Sequence, residues 1–346
     1  MLSPEALYLA SLFTGEQSLA EIQAGLERAG SRVPLEKLEE LARALEEAGF
    51  LETPEILAKV RAAEEALKKG PKPMKLAGVS YPGEAEAFSR YFETFLAVAP
   101  EVPEKPAKAL LLPHLEPRRV PEVYGATFKA LKKTPPPERV LVLGVAHRPI
   151  QNPAAALATG FETPLGTLDT DHEALATLDA LLGYELFRDP LALLAEHSLE
   201  FAAVFLKAIW PEAKILPIAV ASHDPQVLDE LGQALKLVAR DYPFFPVLSV
   251  DLSHVGARFG HGPLKAELAQ KARERDLGYL KRLSHGAFEE AFGELAEVEN
   301  DTYIDAFGPG RAAAPLIQGE GQILAYALSP EVDTFSAVGA GALAWY

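Results

Sequence analysis

Apolar residues recur along this chain in two rhythms. From residue 3 to 52 they return every three or four positions, the period of a helix with one buried face. "SPEALYLASLF" opens on a Ser cap followed by Pro and Glu. "SLAEIQAGLERAG" sets Ser18 and Glu21 at the spacing of a capping box and ends on Gly30. "PLEKLEELARALEEAGF" places Leu35, Leu38, Leu41, Leu45 and Phe50 on one stripe and ends at Gly49. Three helices are predicted. "ILAKVRAAEEALKKGPKPMK" then reads as a charged helix running into a Gly/Pro linker, which divides the chain into a helical module over 1–69 and a second domain over 70–346.

Beyond the linker the rhythm changes. "AKALLLP", "RVLVLGV", "KILPIAVA", "PVLSV", "QILAYAL" and "AVGAGALAW" are short apolar runs that suit strands buried on both sides. Between most of them lie amphipathic helical patterns such as "PEVYGATFKALKK", "DHEALATLDALLG", "EFAAVFLKAIW" and "PQVLDELGQALKLVARD". That alternation predicts an α/β fold with a largely parallel central sheet and helices on both faces. The amino-terminal module looks like a small winged-helix-like, all-α domain. Glu36, Glu39, Glu40, Glu46 and Glu47 dominate its third helix. Such a surface favours docking a peptide or protein over reading DNA, beside the plain alternative of a structural appendage.

With 346 residues, 49% of them apolar, the chain can bury a sizeable core. No stretch approaches the roughly 18–20 uninterrupted apolar residues of a membrane span. The start "MLSPEALYLASLF" lacks a basic region and a cleavage site, so a cytoplasmic location and no membrane partner are expected. There is no cysteine, which leaves metal chemistry to His, Asp and Glu. A net charge of −16 without a clustered basic face argues against nucleic acid as a partner. Few Met and abundant Pro suit a heat-tolerant source.

Three of the eight histidines stand just past the ends of apolar runs: His114 in "LLLPHLEP", His147 in "LGVAHRP", and His254, with Asp251, in "SVDLSHV". In an open α/β sheet ligands bind at the carboxyl ends of the strands, so three strands would deliver imidazoles to one rim. Neutral imidazole is the commonest protein ligand for transition metals. "AEHSLEFAAVF" adds Glu196, His197 and Glu200, which one helical turn could aim at that rim. His172, His223, His261 and His285 read as turn, cap or surface residues. Ser198 and Ser253 lack the G-x-S-x-G elbow of a serine hydrolase.

The ordered set "AGVSYPGEAEAFSRYFETFL", "LLPHLEP", "VLGVAHRP", "FETPLGTLDTD", "AEHSLEFAAVFLK", "ILPIAVAS", "SVDLSHVGARFG" and "AVGAGALAW" resembles the Memo family over roughly residues 74–346, in the branch called AmmeMemoRadiSam system protein B. The resemblance implies a fold similar to the class III extradiol dioxygenases and a sheet-edge pocket lined by His114, His147, Asp251 and His254. Glu196, His197 and Glu200 match the family's "EHS-x-E" motif. It also implies iron or copper binding, and partners of the radical-SAM and AMMECR types. The chain departs from the family pattern at Leu76-Ala77-Gly78, where an "H-A-G" is expected, at Arg148 beside His147, and at Phe307, which aligns with a ligating cysteine. Asp305, Glu196 or His254 would have to supply the missing donor.

Two functional readings stand. In the first, a divalent metal (iron, copper or zinc) on His114 and His147 serves an oxidoreductase or hydrolase. His254, oriented by Asp251, then moves protons beside Glu196 and His197. In the second, the pocket has lost its metal and binds a small molecule or protein without catalysis, as a partner of a radical-SAM enzyme. Glu196 and Glu200 at the helix start would then favour a cationic or neutral ligand. Aromatic ring cleavage, the activity of extradiol dioxygenases, is a third reading that rests on likeness of fold.

Overall fold

The structure, a computed structural model, describes residues 3–346, so the first two positions of the expected module lie outside the described residues. The chain divides into two compact units, residues 1–66 and 67–346.

The first unit is helical. α1 (Pro4–Ser11), α2 (Leu19–Arg28) and α3 (Leu35–Glu47) are followed by α4 (Pro54–Lys69), which runs to the unit's boundary and past it. Ser18 and Glu21 form the expected capping box, and Gly30 and Gly49 take the left-handed backbone that ends a helix. Ile22, Leu26 and Leu38 make a small core. Phe50 leaves the predicted stripe. It lies beyond the end of α3, is 76% exposed, and lines a groove with Phe13, Leu19, Ile22 and Leu51. No strand is assigned among residues 3–66, so the helices of a winged-helix-like module have their counterpart and a wing does not.

The second unit runs α5 (Ala85–Val98), β1 (Ala109–Leu112), α6 (Pro121–Lys132), β2 (Arg139–Val145), β3 (Ala154–Ala156), α7 (His172–Leu181), α8 (Pro190–Leu194), α9 (His197–Ile209), β4 (Lys214–Val220), α10 (Pro225–Asp241), β5 (Phe245–Ser249), β6 (His254–Gly256), α11 (Ala266–Ser284), α12 (Phe288–Glu297), α13 (Phe307–Ala313), β7 (Gly321–Glu331) and β8 (Ser336–Trp345). All six predicted strands are present. The three-residue β3 and β6 are too short to register in a hydrophobic pattern.

One eight-stranded sheet has the order β3-β4-β2-β5-β1-β8-β6, with β7 also on β8. Its centre, β4-β2-β5-β1, is parallel, and the flanking strands are antiparallel. The sheet is therefore mixed around a parallel middle. Alternate residues of each central strand serve opposite faces. Leu110, Leu112, Val140, Val142 and Val247 pack with Phe88, Phe95, Phe128 and Phe205 on one side. Ala109, Leu111, Leu141, Leu143 and Leu248 pack with Leu178, Leu231, Leu235 and Leu280 on the other. Helices thus cover both faces, which is why the strands read as continuous apolar runs.

Candidate functional site

Because β1, β2 and β5 are neighbours and parallel, their carboxyl ends share one edge of the sheet. His114, His147 and Asp251 each stand two residues past a strand end. The fourth contributor is the start of α9. The Ser198 hydroxyl donates to the carbonyl of Val145 (3.0 Å) and accepts from its N–H (3.1 Å), and the Ser249 hydroxyl donates to the Ser198 carbonyl (2.5 Å). These bonds seat the first turn of α9 on the ends of β2 and β5. Gly144 permits the approach, since a Cβ there would lie 2.5 Å from Ser198 Oγ.

The result is a cluster of three imidazoles: His114, His147 and His197 present ligand atoms within 4.8 Å of one another. Their ring centroids are 4.2 to 5.0 Å apart. His114 is 1% exposed at the bottom, and His147 and His197, at 34% and 35%, face the opening. The cavity above them has a volume of about 330 Å³, with Leu76, Leu115, Phe201, Phe259 and Val338 among its walls.

Two of the rings are held by their outer nitrogens. His114 Nδ1 is 2.9 Å from the Ser249 carbonyl, which can only accept, so Nδ1 carries the proton and Nε2 is left for the cluster. His147 Nδ1 is 2.9 Å from Glu196 Oε1, the carboxylate–histidine pairing that favours a lone pair on the other nitrogen. Glu196 also accepts from the amides of His147 (2.8 Å) and Ser198 (2.9 Å), capping α9. Burial opposes the charge of Glu196, but the bonds from His147 and Ser198 hold it down at about 2. Burial and the neighbouring imidazoles push His197 down to about 3, which keeps that ring neutral. His114 is the opposite case. Burial lowers it, and the attraction of Asp251 and Asp305 more than compensates, lifting it to about 10.

Asp305 completes the cluster. Its Oδ2 lies 3.2 Å from His114 Nε2, yet His114 Nε2 and both Asp305 oxygens are buried without a hydrogen-bond partner. His114 Nε2 and the Asp305 carboxylate face one spot, where a proton on Nε2 or a bound cation would satisfy both. Of the three donors expected in place of the cysteine, Asp305 is the one beside His114 Nε2. Phe307 begins α13 and packs edge-on against Phe292, with ring centroids 5.6 Å apart, while the side chain offered to the cluster is Asp305, two residues earlier.

Other expectations change as well. His254 lines the same cavity but stands outside the three-histidine group; its Nδ1 is 3.0 Å from the Tyr303 carbonyl and its N–H donates to Thr302. Asp251 does not orient it. The Asp251 Oδ1 atom accepts from the amides of His114 and Leu115, both at 3.0 Å, and burial raises its pKa. Glu200 points away from the cavity. It pairs with buried Lys72 and accepts from the amides of Lys75 and Leu76 and from the Tyr81 hydroxyl, so it fastens the segment 72–81 to α9. With Glu196 and Glu200 both committed inside the protein, the basis for a cationic or neutral ligand disappears. His172 starts α7 behind its cap Asp171, and His223, His261 and His285 bond backbone carbonyls away from the cluster.

Sequence reading missed Asp276, on α11. It accepts from the Ser253 N–H (2.9 Å) and hydroxyl (2.6 Å) and from the Tyr326 hydroxyl (2.8 Å), pinning the loop between Asp251 and His254 from below. Burial pushes it up to about 6. No local motif distinguishes this residue from a surface acid on a charged helix.

Fold and site together define a mixed α/β protein with a histidine–carboxylate cluster at the carboxyl edge of a parallel strand set. A family model described as Memo-like protein matches residues 72–344. The chain belongs to the Memo family. A MEMO1 family protein of Thermus thermophilus is 51% identical over 330 residues, covering 94% of this chain and 98% of that one. Another, from Aquifex aeolicus, is 31% identical over 352 aligned residues, covering 99% and 92%. Among solved structures, an uncharacterized Escherichia coli K12 protein aligns at 14% identity with a TM-score of 0.41, over 68% of this chain and 98% of that one.

Proposed function

We propose that this protein is a divalent-metal-dependent enzyme of oxidative or hydrolytic type, with its ion held by His114, His147 and His197 and with Asp305 as the fourth donor. One observation carries the reading: unpaired donor atoms, His114 Nε2 and the two Asp305 oxygens, are buried beside two further imidazoles. Three nitrogens and a carboxylate oxygen suit iron or zinc, and copper also accepts imidazole. When bound, such an ion supplies Lewis acidity to a coordinated oxygen and, if it is iron or copper, one-electron chemistry.

The chain's own residues do the rest. Glu196 sets the tautomer and angle of His147, and the Ser249 carbonyl does the same for His114. His254, with Nδ1–H directed to the Tyr303 carbonyl, keeps Nε2 as a proton acceptor in the same cavity. Phe201, Phe259 and Val338 exclude water from one wall. Ring cleavage by two histidines and a glutamate gains no support, since the nearby glutamates are turned to His147 and Lys72.

The alternative, a non-catalytic partner of a radical-SAM enzyme within an AmmeMemoRadiSam system, is separated from this reading by metal uptake. The docking role belongs to the helical unit, whose groove over Phe13, Leu19, Phe50 and Leu51 offers apolar surface to a radical-SAM or AMMECR-type partner. The test is to strip full-length protein with chelator and titrate Fe(II), Zn(II) and Cu(II) while following bound metal. One ion per chain is expected. His114→Ala, His147→Ala and His197→Ala should each weaken binding at least about tenfold, since outer-shell losses alone cost that much. A chain that retains no ion is the non-catalytic one.

A further inference from the structure

The cavity that the histidines line carries a second recognition element. Arg258 lines the cavity, is 57% exposed, and lies 5.4 Å from the Phe259 ring centroid. It meets Glu331 through Nη1 alone, 3.0 Å from both carboxylate oxygens. Among the described residues, its Nε and Nη2 make no hydrogen bond. Glu331 is already served from the other side by Arg119 Nη1 (2.6 Å) and the Thr334 hydroxyl (3.0 Å). One carboxylate thus faces two guanidinium groups, which leaves an excess positive charge at this wall on a chain whose net charge is −16. The remaining acids at the cavity have their own partners. Glu116 is paired with Arg118 at 2.7 Å, and Asp251 accepts from two backbone amides through Oδ1 and faces His114 Nε2 through Oδ2 at 3.6 Å.

We infer that the cavity recognises a small organic acid, a carboxylate on a compact apolar body. The carboxylate docks on the unspent donors of Arg258, a fork that matches its geometry. The body lies against Phe201, Phe259, Leu115 and Val338, and its far end reaches toward His114, His147 and His197. A volume of about 330 Å³ lies at the small end of ligand cavities, so the body is no larger than a branched alkyl chain or a single ring. This names the ligand class of the proposed metal site and depends on that proposal only for what the far end meets.

The experiment uses full-length protein held metal-free in chelator, so that a failed metal assignment and a failed acid assignment give separate results. 3-Methylbutanoate and benzoate are titrated against their neutral amides, 3-methylbutanamide and benzamide, by calorimetry or ligand-observed NMR. At least one acid should bind at least tenfold more tightly than its amide. Arg258→Met should abolish that preference, and Arg258→Lys should restore part of it, because a point charge replaces a fork. Arg273→Met, on the exposed side of α11, should leave it unchanged. The inference is overturned if neither acid binds, if the amides bind equally well, or if Arg258→Met retains the preference.

Discussion

An imidazole binds a cation only through a nitrogen that carries no proton. In His114 the surroundings make that choice: Nδ1 is committed to the Ser249 carbonyl, and Nε2 meets Asp305. Without a metal, the second position is best satisfied by protonation, since Asp251 and Asp305 outweigh burial and lift the ring to about 10, above its ordinary 6.5. The sign follows by linkage. A group whose pKa is raised on folding contributes stability that is complete below the unfolded value of about 6.5 and is lost as pH climbs through about 10. In chelator, the melting temperature of the wild type should therefore fall more steeply between pH 7 and 10 than that of Asp305→Asn, which removes one of the two attracting carboxylates. Parallel slopes in thermal scans would show that the pair is not coupled. Metal uptake displaces the same proton, so ion affinity should rise with pH across this range.

At the scale of elements, the segment between α12 and α13 carries more constraint than its sequence suggests. Glu299, Asn300 and Tyr303 all have positive φ, 55°, 47° and 55°, a left-handed backbone that costs a non-glycine residue about 1 kcal/mol or more. What holds it there is Asn300, whose side chain donates to the Ile304 carbonyl (2.8 Å) and accepts from its N–H (2.9 Å). The return is positional: the carbonyls of Thr302 and Tyr303 meet His254, and Asp305 is delivered to His114. Asn300→Ala should destabilise the protein by about 1–3 kcal/mol in denaturant unfolding, through two lost bonds and a residue that resists the left-handed region. Asn300→Gly should cost less, because glycine accepts that backbone. Equal losses would place the effect in the hydrogen bonds alone. "ENDTYID" shows none of this in advance, since its seven residues form no periodic pattern and the histidines that Tyr303 and Asp305 meet lie on other elements.

For the larger unit as a whole, one fully buried charge pair is structural. Lys72 and Glu200 are 128 residues apart and form a fully buried pair that ties segment 72–81 to α9 and sets Leu76 and Ser80 into the cavity wall. Removing one partner of such a pair strands the other, at a cost of about 3–5 kcal/mol. Lys72→Met should lower stability by that amount, and Lys72→Met/Glu200→Gln should recover part of it, with both read from chemical denaturation. A single variant within about 1 kcal/mol of wild type would contradict burial of the pair. The same two residues mark the border between what sequence determines and what folding decides. Period and length alone determined the helices of the small unit, six strands of the sheet and the α/β class, because burial on one or two faces imprints itself on neighbouring residues. The rim of histidines was visible for a related reason: ligand-bearing residues follow strand ends. Which nitrogens are free, which acid stands beside His114, and which way Glu200 turns were decided only in three dimensions. Each depends on groups brought together from distant parts of the chain by the order of the strands, and the spacing of residues along one segment carries no record of that order.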